Sequence, residues 1–236
     1  YSAETGEPLI MFQDCSINKF RTGAAGGIGA KHLSRKNSSR IAVFGSNVHA
    51  ETQLKAAAAV RTLTHANVFS PNEAHRRAFA EKMSRQLAIE INAASSPEEA
   101  LEGADIVITA TNSRTPVFDG KWLKDGSHIT SIANGDRTRP RQEIDEKTLR
   151  RAATIFITSK ETVCVNESDI FRALRDKIIA WDRVQEISSL LLGNVTGRTD
   201  ENQITLYKLQ GIGIMDVAVG ATAYEKIKDN NVAIRL

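Results

Sequence analysis

The sequence predicts an α/β fold built around a doubly wound parallel sheet. Three observations support this prediction: short apolar runs alternate with helical patterns, the runs end in small or polar residues, and two helices begin with capping signals. Ligands of such sheets bind beyond the carboxyl ends of the strands. The residues that follow each apolar run are therefore the first candidates for a functional site.

The first unit is an apolar run that ends in Gly45, followed by a helical pattern from Val48 to Leu63. A strand, a tight turn and a helix in this order are typical of a dinucleotide-binding unit, whose helix N-terminus offers backbone N–H groups to a pyrophosphate. Against the pattern G-x-G-x-x-G/A, the turn has Gly45, Asn47 and Ala50, so asparagine replaces the middle glycine. Many α/β proteins that bind no nucleotide contain a similar turn.

Two further units follow. A second apolar run ends at Ser70, which is predicted to cap the next helix, with Pro71 in the first position and Glu73 closing a capping box. Ser96 gives the same signal before a short helix, and residues 104 to 111 then indicate a buried strand. The predicted order is strand, helix, strand, helix, short helix, strand.

Composition narrows the functional class. The chain has 236 residues, 41% of them hydrophobic, and its 31 basic and 28 acidic residues are too balanced to indicate nucleic-acid binding. The two cysteines, Cys15 and Cys164, are far apart and lack metal-ligand spacing, so we expect no metal site and reduced thiols in a cytoplasmic protein. No apolar run reaches membrane-spanning length and no signal peptide is visible, so we expect no membrane contact.

The opening of the chain predicts a hairpin. Residues 5 to 8, Thr-Gly-Glu-Pro, form a turn signal between two short strand-like pieces. Since an isolated hairpin is marginally stable, either a preceding segment or another chain is expected to pair with it.

In order along the chain, the residues resemble the ornithine cyclodeaminase/mu-crystallin family. The stretches that show the resemblance are Arg21 to Ala25 within a helix, Phe44 to Ala50, Ala104 to Asn112, Gly126 to Ile129, Glu143 to Asp145, Gly193 to Arg198, Ile204 to Tyr207 and Gly211 to Tyr224. The resemblance implies an NAD(P)-dependent amino-acid dehydrogenase, imine reductase or cyclodeaminase. It also implies a Rossmann domain at residues 21–202 and a smaller dimerisation and substrate domain formed by residues 1–20 and 203–236.

The resemblance further implies a set of site residues. Arg21 and Asp136 are the implied catalytic residues, Arg21 holding an oxyanion and Asp136 moving protons. The implied cofactor contacts are Arg21, Thr22, Gly45, Ser46, Asn47, Val48, His49, Ser70, Thr109, Ala110, Thr111, Ser131, Ile132 and Asp216.

Several of these residues have a purely structural alternative. For Arg21 the alternative is a surface ion pair, and for His49 it is an exposed position in the first turn of a helix. Asp136 follows Gly135 as a turn residue would, and Asp216 fits the first turn of a helix because an acid there complements the helix dipole.

The expected reaction is hydride transfer between NAD(P) and the α-carbon of an amino acid or its cyclic imine, with the nicotinamide performing the redox step. The alternative is a catalytically silent binding protein of the mu-crystallin type. That alternative rests on Asn47, on Met215 where the family usually has an acid, and on the absence from this sequence of the segment that carries the family's substrate anchors.

Cofactor preference leans slightly to NADP. An acid after the second strand would favour NAD, whereas this sequence has Ser-Pro-Asn at residues 70 to 72, and Arg76 or Arg77 follows one turn later.

Assembly is predicted from the two chain ends. Residues 203–207 indicate a strand with Ile204 and Leu206 on one face, and residues 9 to 12 supply further apolar side chains. These pieces do not fit the predicted strand order, so they are expected to form a small second layer whose exposed edge needs cover. We therefore predict a homodimer through residues 5 to 12 and 203 to 210.

Overall fold

The structure is a computed structural model that describes residues 1–12, 16–135, 138–165 and 168–228. Its strands are β1 Arg40–Phe44, β2 His65–Phe69, β3 Glu90–Ala93, β4 Ile106–Thr109, β5 His128–Ser131, β6 Ala152–Ile157, β7 Val184–Glu186 and β8 Ile204–Lys208. Its α-helices are α1 Ser16–Leu33, α2 Val48–Val60, α3 Glu73–Leu87, α4 Pro97–Leu101, α5 Glu146–Arg151, α6 Lys160–Val165, α7 Asp169–Arg175, α8 Ile187–Leu191 and α9 Gly213–Ile227. Two 3-10 helices span Gly120–Trp122 and Trp181–Arg183.

In the described residues the strands form one eight-stranded sheet in the order β3-β2-β1-β4-β5-β8-β6-β7, and all of its strand pairs are parallel. Successive side chains of β1 point to opposite faces: Val43 packs in the apolar cluster of α2 and α3, and Phe44 packs in the cluster on the other face. Helices cover both faces, which is why the central strands are apolar on both sides. The predicted α/β fold with a doubly wound parallel sheet is confirmed.

Helix α1 packs unusually close to α2. A Cβ added at Gly26 would collide with the side chain of Gln53, whose Nε2 donates to the Thr22 carbonyl at 2.7 Å. The glycines of α1 lower its intrinsic helix propensity, but they let the two backbones approach. This contact fixes the start of α2 relative to Arg21 of α1.

Several details of the sequence prediction need correction. β3 was not predicted, because its four residues show no apolar run. The cap of α3 is Asn72, whose side chain accepts from the His75 N–H, and not Ser70. Ser96 does cap α4, accepting from the Glu99 N–H at 3.1 Å.

The prediction that residues 203–207 leave the sheet for a second layer is wrong. They do form a strand, but β8 lies between β5 and β6 and all five of its residues are buried. Leu206 faces one apolar cluster and Tyr207 faces another, so both faces of the strand are covered. The rest of the predicted domain division stays a prediction.

At the chain start the predicted turn is present, with the Ser2 N–H donating to the Glu7 carbonyl and the Gly6 N–H to the Ser2 carbonyl. Residues 1 to 12 contain no strand, so the predicted hairpin is only a turn. Among the described residues no helix is both long and apolar enough to cross a membrane, and no group of three or more His, Cys, Asp or Glu could hold a metal ion.

Candidate active site

The turn between β1 and α2 is built for close backbone approach. Gly45 has φ +109°, and a Cβ there would collide with the Ala110 carbonyl oxygen at the end of β4. Only glycine fits this conformation and this space. In the described part of the chain, the N–H groups of Ser46, Asn47 and Val48 have no hydrogen-bond acceptor. Three consecutive donors at a helix N-terminus form a cradle for an anion.

Asn47 takes a structural role that the glycine of the motif could not. Its Oδ1 caps α2 by accepting from the N–H groups of His49 and Ala50 at 2.8 and 3.1 Å, and its Nδ2 donates to the Ala110 carbonyl at 2.7 Å. The side chain therefore ties the start of α2 to the end of β4. The substitution for glycine braces the turn while leaving the three N–H donors available.

The ends of β1 and β2 are linked through two hydroxyl groups. Ser46 Oγ and Ser70 Oγ lie 3.1 Å apart, and the Ser70 carbonyl accepts from Arg76 Nη1 at 3.1 Å. The Arg76 guanidinium lies over the Phe69 ring, whereas Arg77 pairs with Glu73. Of the two arginines considered for this end of the site, Arg76 is the one held at the end of β2.

The ends of β4 and β5 are joined by one buried carboxylate, that of Glu143, which has no solvent exposure. Its Oε1 accepts from Thr111 N and Oγ1 at 2.6 and 2.9 Å. Its Oε2 accepts from Thr109 Oγ1, Ser131 Oγ, Ile132 N and Ala133 N at 2.9, 2.9, 3.1 and 2.8 Å. Glu143 therefore holds four of the predicted site residues in one network: Thr109, Thr111, Ser131 and Ile132.

A buried ion pair extends this network. Lys208, at the end of β8, donates from Nζ to Ser131 Oγ at 2.9 Å and to Asp169 Oδ2 at 2.8 Å, and both charged side chains are fully buried. Asp169 also accepts from the Glu143 N–H at 3.2 Å. Sequence reasoning did not assign roles to Glu143, Asp169 or Lys208. A lysine directly after an apolar strand pattern was the signal for a buried partner.

Arg21, His49 and Asp216 are brought together from α1, α2 and α9. Arg21 Nε donates to Asp216 Oδ1 at 3.0 Å, the arginine being 11% and the aspartate 43% exposed. Burial and the nearby Arg21 charge lower the pKa of His49, which favours the neutral imidazole. Its buried Nδ1 has no hydrogen-bond partner among the described residues. Arg21 is therefore in an ion pair, which is the structural alternative considered from the sequence. It also lies near His49 in the first turn of α2.

The Thr22 hydroxyl donates to the Asn18 carbonyl within α1, and the residue is buried, so its cofactor contact stays a prediction. Asp136 lies outside the described residues, so its predicted role stays a prediction.

Comparisons with known proteins identify the family of the chain. The profile of the ornithine cyclodeaminase/mu-crystallin family matches residues 1–231. The chain belongs to this family.

Relatives of the cyclodeaminase and crystallin family have the same fold. The chain superposes with a TM-score of 0.94 on the Δ1-pyrroline-2-carboxylate reductase of Thermococcus litoralis in complex with NADH and L-proline, at 35% identity over 99% of this chain and 72% of that one. An archaeal alanine dehydrogenase dimer with bound NAD gives a TM-score of 0.90 at 31% identity, over 100% of this chain and 72% of that one. A Δ1-pyrroline-2-carboxylate reductase of Bacillus cereus (strain ZK / E33L) is 29% identical over 99% of this chain and 71% of its own length.

The residues present in this family member fit a dinucleotide. The three N–H donors after Gly45 suit the pyrophosphate, and the Gly45 conformation lets the chain pass close to β4. At the level of the family, the chain groups with NAD(P)-dependent oxidoreductases and with cyclodeaminases.

Proposed function

We propose that this protein is an NAD(P)-dependent oxidoreductase or cyclodeaminase that acts at the α-carbon of an amino acid or its cyclic imine. The observation that carries the proposal is the N–H cradle at Ser46 to Val48 after a strained Gly45 turn, in a chain of this family. The nicotinamide, when bound, would supply or accept the hydride.

The chain's own residues would bind and orient the cofactor and the substrate. The N–H groups of the cradle would hold the pyrophosphate, and the Arg21 guanidinium would bind an oxyanion of cofactor or substrate with its planar fork. The Glu143 network would fix the strand ends at Thr109 to Thr111 and at Ser131 and Ile132 under the nicotinamide. Asp136 remains the proposed proton-transfer group.

Asp216 would orient Arg21 rather than contact the cofactor directly. Its carboxylate bonds the guanidinium Nε, and this leaves the terminal Nη donors for an oxyanion. We propose a slight preference for NADP, supported by Arg76 at the end of β2 and by the lack of a carboxylate at Ser70 to Asn72.

Spectrophotometry tests the proposal. The protein is incubated with NADPH or NADH and a panel of cyclic imines and of keto acids with amines, and absorbance is followed at about 340 nm, where reduced nicotinamides absorb. Loss of absorbance with one class of substrate is expected. No turnover across the panel, with no dinucleotide binding by calorimetry, would refute the function.

The second candidate is a catalytically silent protein that binds NAD(P)H or a small ligand. It is favoured by Asn47 in place of the middle glycine of the motif and by Met215, where the family usually has an acid. Cyclodeamination returns the hydride to the substrate and releases ammonia, so it leaves the absorbance unchanged. Tight dinucleotide binding in calorimetry, with neither loss of absorbance nor ammonia release from a diamino acid, therefore supports only the silent protein.

We also propose a homodimer, although not through residues 203 to 210, which lie buried in or beside the sheet. Exposed apolar side chains instead lie on α9 and near the chain start: Ile214 is 66% exposed, Val217 64%, Phe20 59% and Met11 86%. Such a patch is typical of a surface that another protein surface covers. Light scattering at micromolar concentration is expected to give the mass of two chains, and a stable monomer would contradict the proposal.

A further inference from the structure

A polar cavity of about 570 Å³ lies at the amino ends of the strands, the end of the sheet opposite the candidate active site. It is bounded by the end of α1 and the turn after it, by Arg61 directly after α2, and by the loop before β8. The active-site turn follows the carboxyl end of β1, whereas this cavity lies where β1 and β8 begin. The two sites therefore occupy opposite ends of the α1 and α2 helix pair.

The cavity concentrates positive charge. Five Lys or Arg side chains line it, together with His32 and two carboxylates. The five cations are Lys31, Arg35, Lys36, Arg61 and Arg198. The whole chain, by contrast, has only three more basic than acidic residues among 236. The cavity lining therefore has a higher proportion of basic to acidic residues than the chain as a whole.

Most of these cations lack a carboxylate partner. Among the described residues Arg35 is paired with Asp105 at 2.6 Å, while Arg61 donates to carbonyl groups that include those of Lys31 and Ser34. Arg198 likewise donates to the Leu33 carbonyl and to others around the loop. Carbonyl groups satisfy hydrogen bonds but carry no net charge, so they cap α1 without neutralising the guanidinium groups.

The positive charges that line the cavity also repel one another. Burial lowers the pKa of Arg61. Burial and then the charge of Arg35 lower the pKa of Arg198, and they outweigh the opposite effect of the Glu201 and Asp200 carboxylates. Arg35 Nε is buried without a hydrogen-bond partner in the described part of the chain. A partly desolvated cluster of like charges is unfavourable when nothing compensates it, and an anion in the cavity would compensate it.

We propose that this cavity binds a small phosphate-bearing anion. Its volume lies in the range of small-molecule sites, and guanidinium groups match phosphate oxygens in a two-point geometry. Lys31 and Lys36 are the open part of the site: both are exposed, and neither has an ion-pair partner among the described residues. Capping of α1 accounts for Arg61 and Arg198, and the last turn of α1 favours a cation at Lys31, whereas Lys36 lies beyond the helix.

The test uses inorganic pyrophosphate as the probe and calorimetry at constant ionic strength. The wild-type chain is compared with the double variant Lys31→Gln and Lys36→Gln and with Lys160→Gln. Lys160 is an exposed lysine at the start of α6 and does not line the cavity. We expect the double variant to bind about tenfold or more weakly, because a charge-assisted hydrogen bond contributes about that factor or more. We expect Lys160→Gln to bind like the wild type.

Two results would overturn the proposal. One is equal binding by the double variant and the wild type, which would place the pyrophosphate elsewhere, as at the N–H cradle after Gly45. The other is no detectable binding to the wild type at about 10 mM, a concentration above the range expected for a specific site. The outcome is independent of the proposed function, because NADH binding is measured separately at the other end of the sheet.

Discussion

The replacement Glu143→Gln tests the buried network most directly. In the native protein both carboxylate oxygens act only as acceptors, for three N–H groups and three hydroxyl groups. Glutamine keeps the volume but turns one oxygen into an NH₂ donor. Hydroxyl groups can rotate to accept from the new donor, whereas backbone N–H groups cannot.

The loss of stability depends on which of the two amide orientations leaves fewer backbone N–H groups without an acceptor. With NH₂ at the Oε1 position, only the Thr111 N–H loses its acceptor; with NH₂ at the Oε2 position, both Ile132 and Ala133 lose theirs. One buried unpaired N–H costs about 1–3 kcal/mol, and the remaining bonds lose their charge assistance. We therefore expect the free energy of unfolding to fall by about 3 kcal/mol.

Urea unfolding followed by circular dichroism measures this change. Glu146→Gln is the matched control, because Glu146 is 52% exposed and makes only an i,i+4 pair with Arg150. It should cost less than about 0.5 kcal/mol. A loss below about 1 kcal/mol for Glu143→Gln would refute the view that this carboxylate holds the two strand ends together.

Three further predictions concern other parts of the molecule. Burial and the charges of Arg198 and Arg61 lower the pKa of His128 to about 3, so its contribution to stability is complete above pH 6.5 and is lost as pH falls toward 3. Wild type should lose roughly 2 kcal/mol from this group between pH 7 and pH 5, and His128→Gln should lack that component in urea titrations at each pH. Gly45→Ala should destabilise by more than about 2 kcal/mol in the same assay, whereas Gly213→Ala, whose added methyl meets nothing within 4 Å, should stay within about 0.5 kcal/mol. Arg21→Lys should weaken dinucleotide or substrate binding in calorimetry by roughly ten- to a hundredfold, and unchanged constants would leave Arg21 with only its ion pair to Asp216.

Local signals predicted the parts of the site that are contiguous in sequence. Gly45 followed by a helical pattern predicted the turn, because strand, glycine and helix must adopt that geometry over a few residues. The same kind of signal failed at β3, where a short strand at the edge of the sheet needs little apolar sequence.

These local signals could not predict contacts between residues that are far apart in the sequence. Glu143 binds residues 10 to 34 positions away, and Lys208 reaches Asp169 across 39 positions. A carboxylate in a loop is indistinguishable in sequence from a solvated one. Only its burial against several donors makes it a structural anchor.

The amino-acid pattern was sufficient for the fold class, the turn between β1 and α2 and the family, because each depends on short-range periodicity or on ordered motifs along the chain. The three-dimensional structure was needed to insert β8 between β5 and β6, to give Asn47 its bracing role, and to assemble the cationic cavity. These features depend on which elements become neighbours in space. That choice is made by burying apolar faces and pairing buried polar groups across the whole chain, and it leaves no local trace in the sequence.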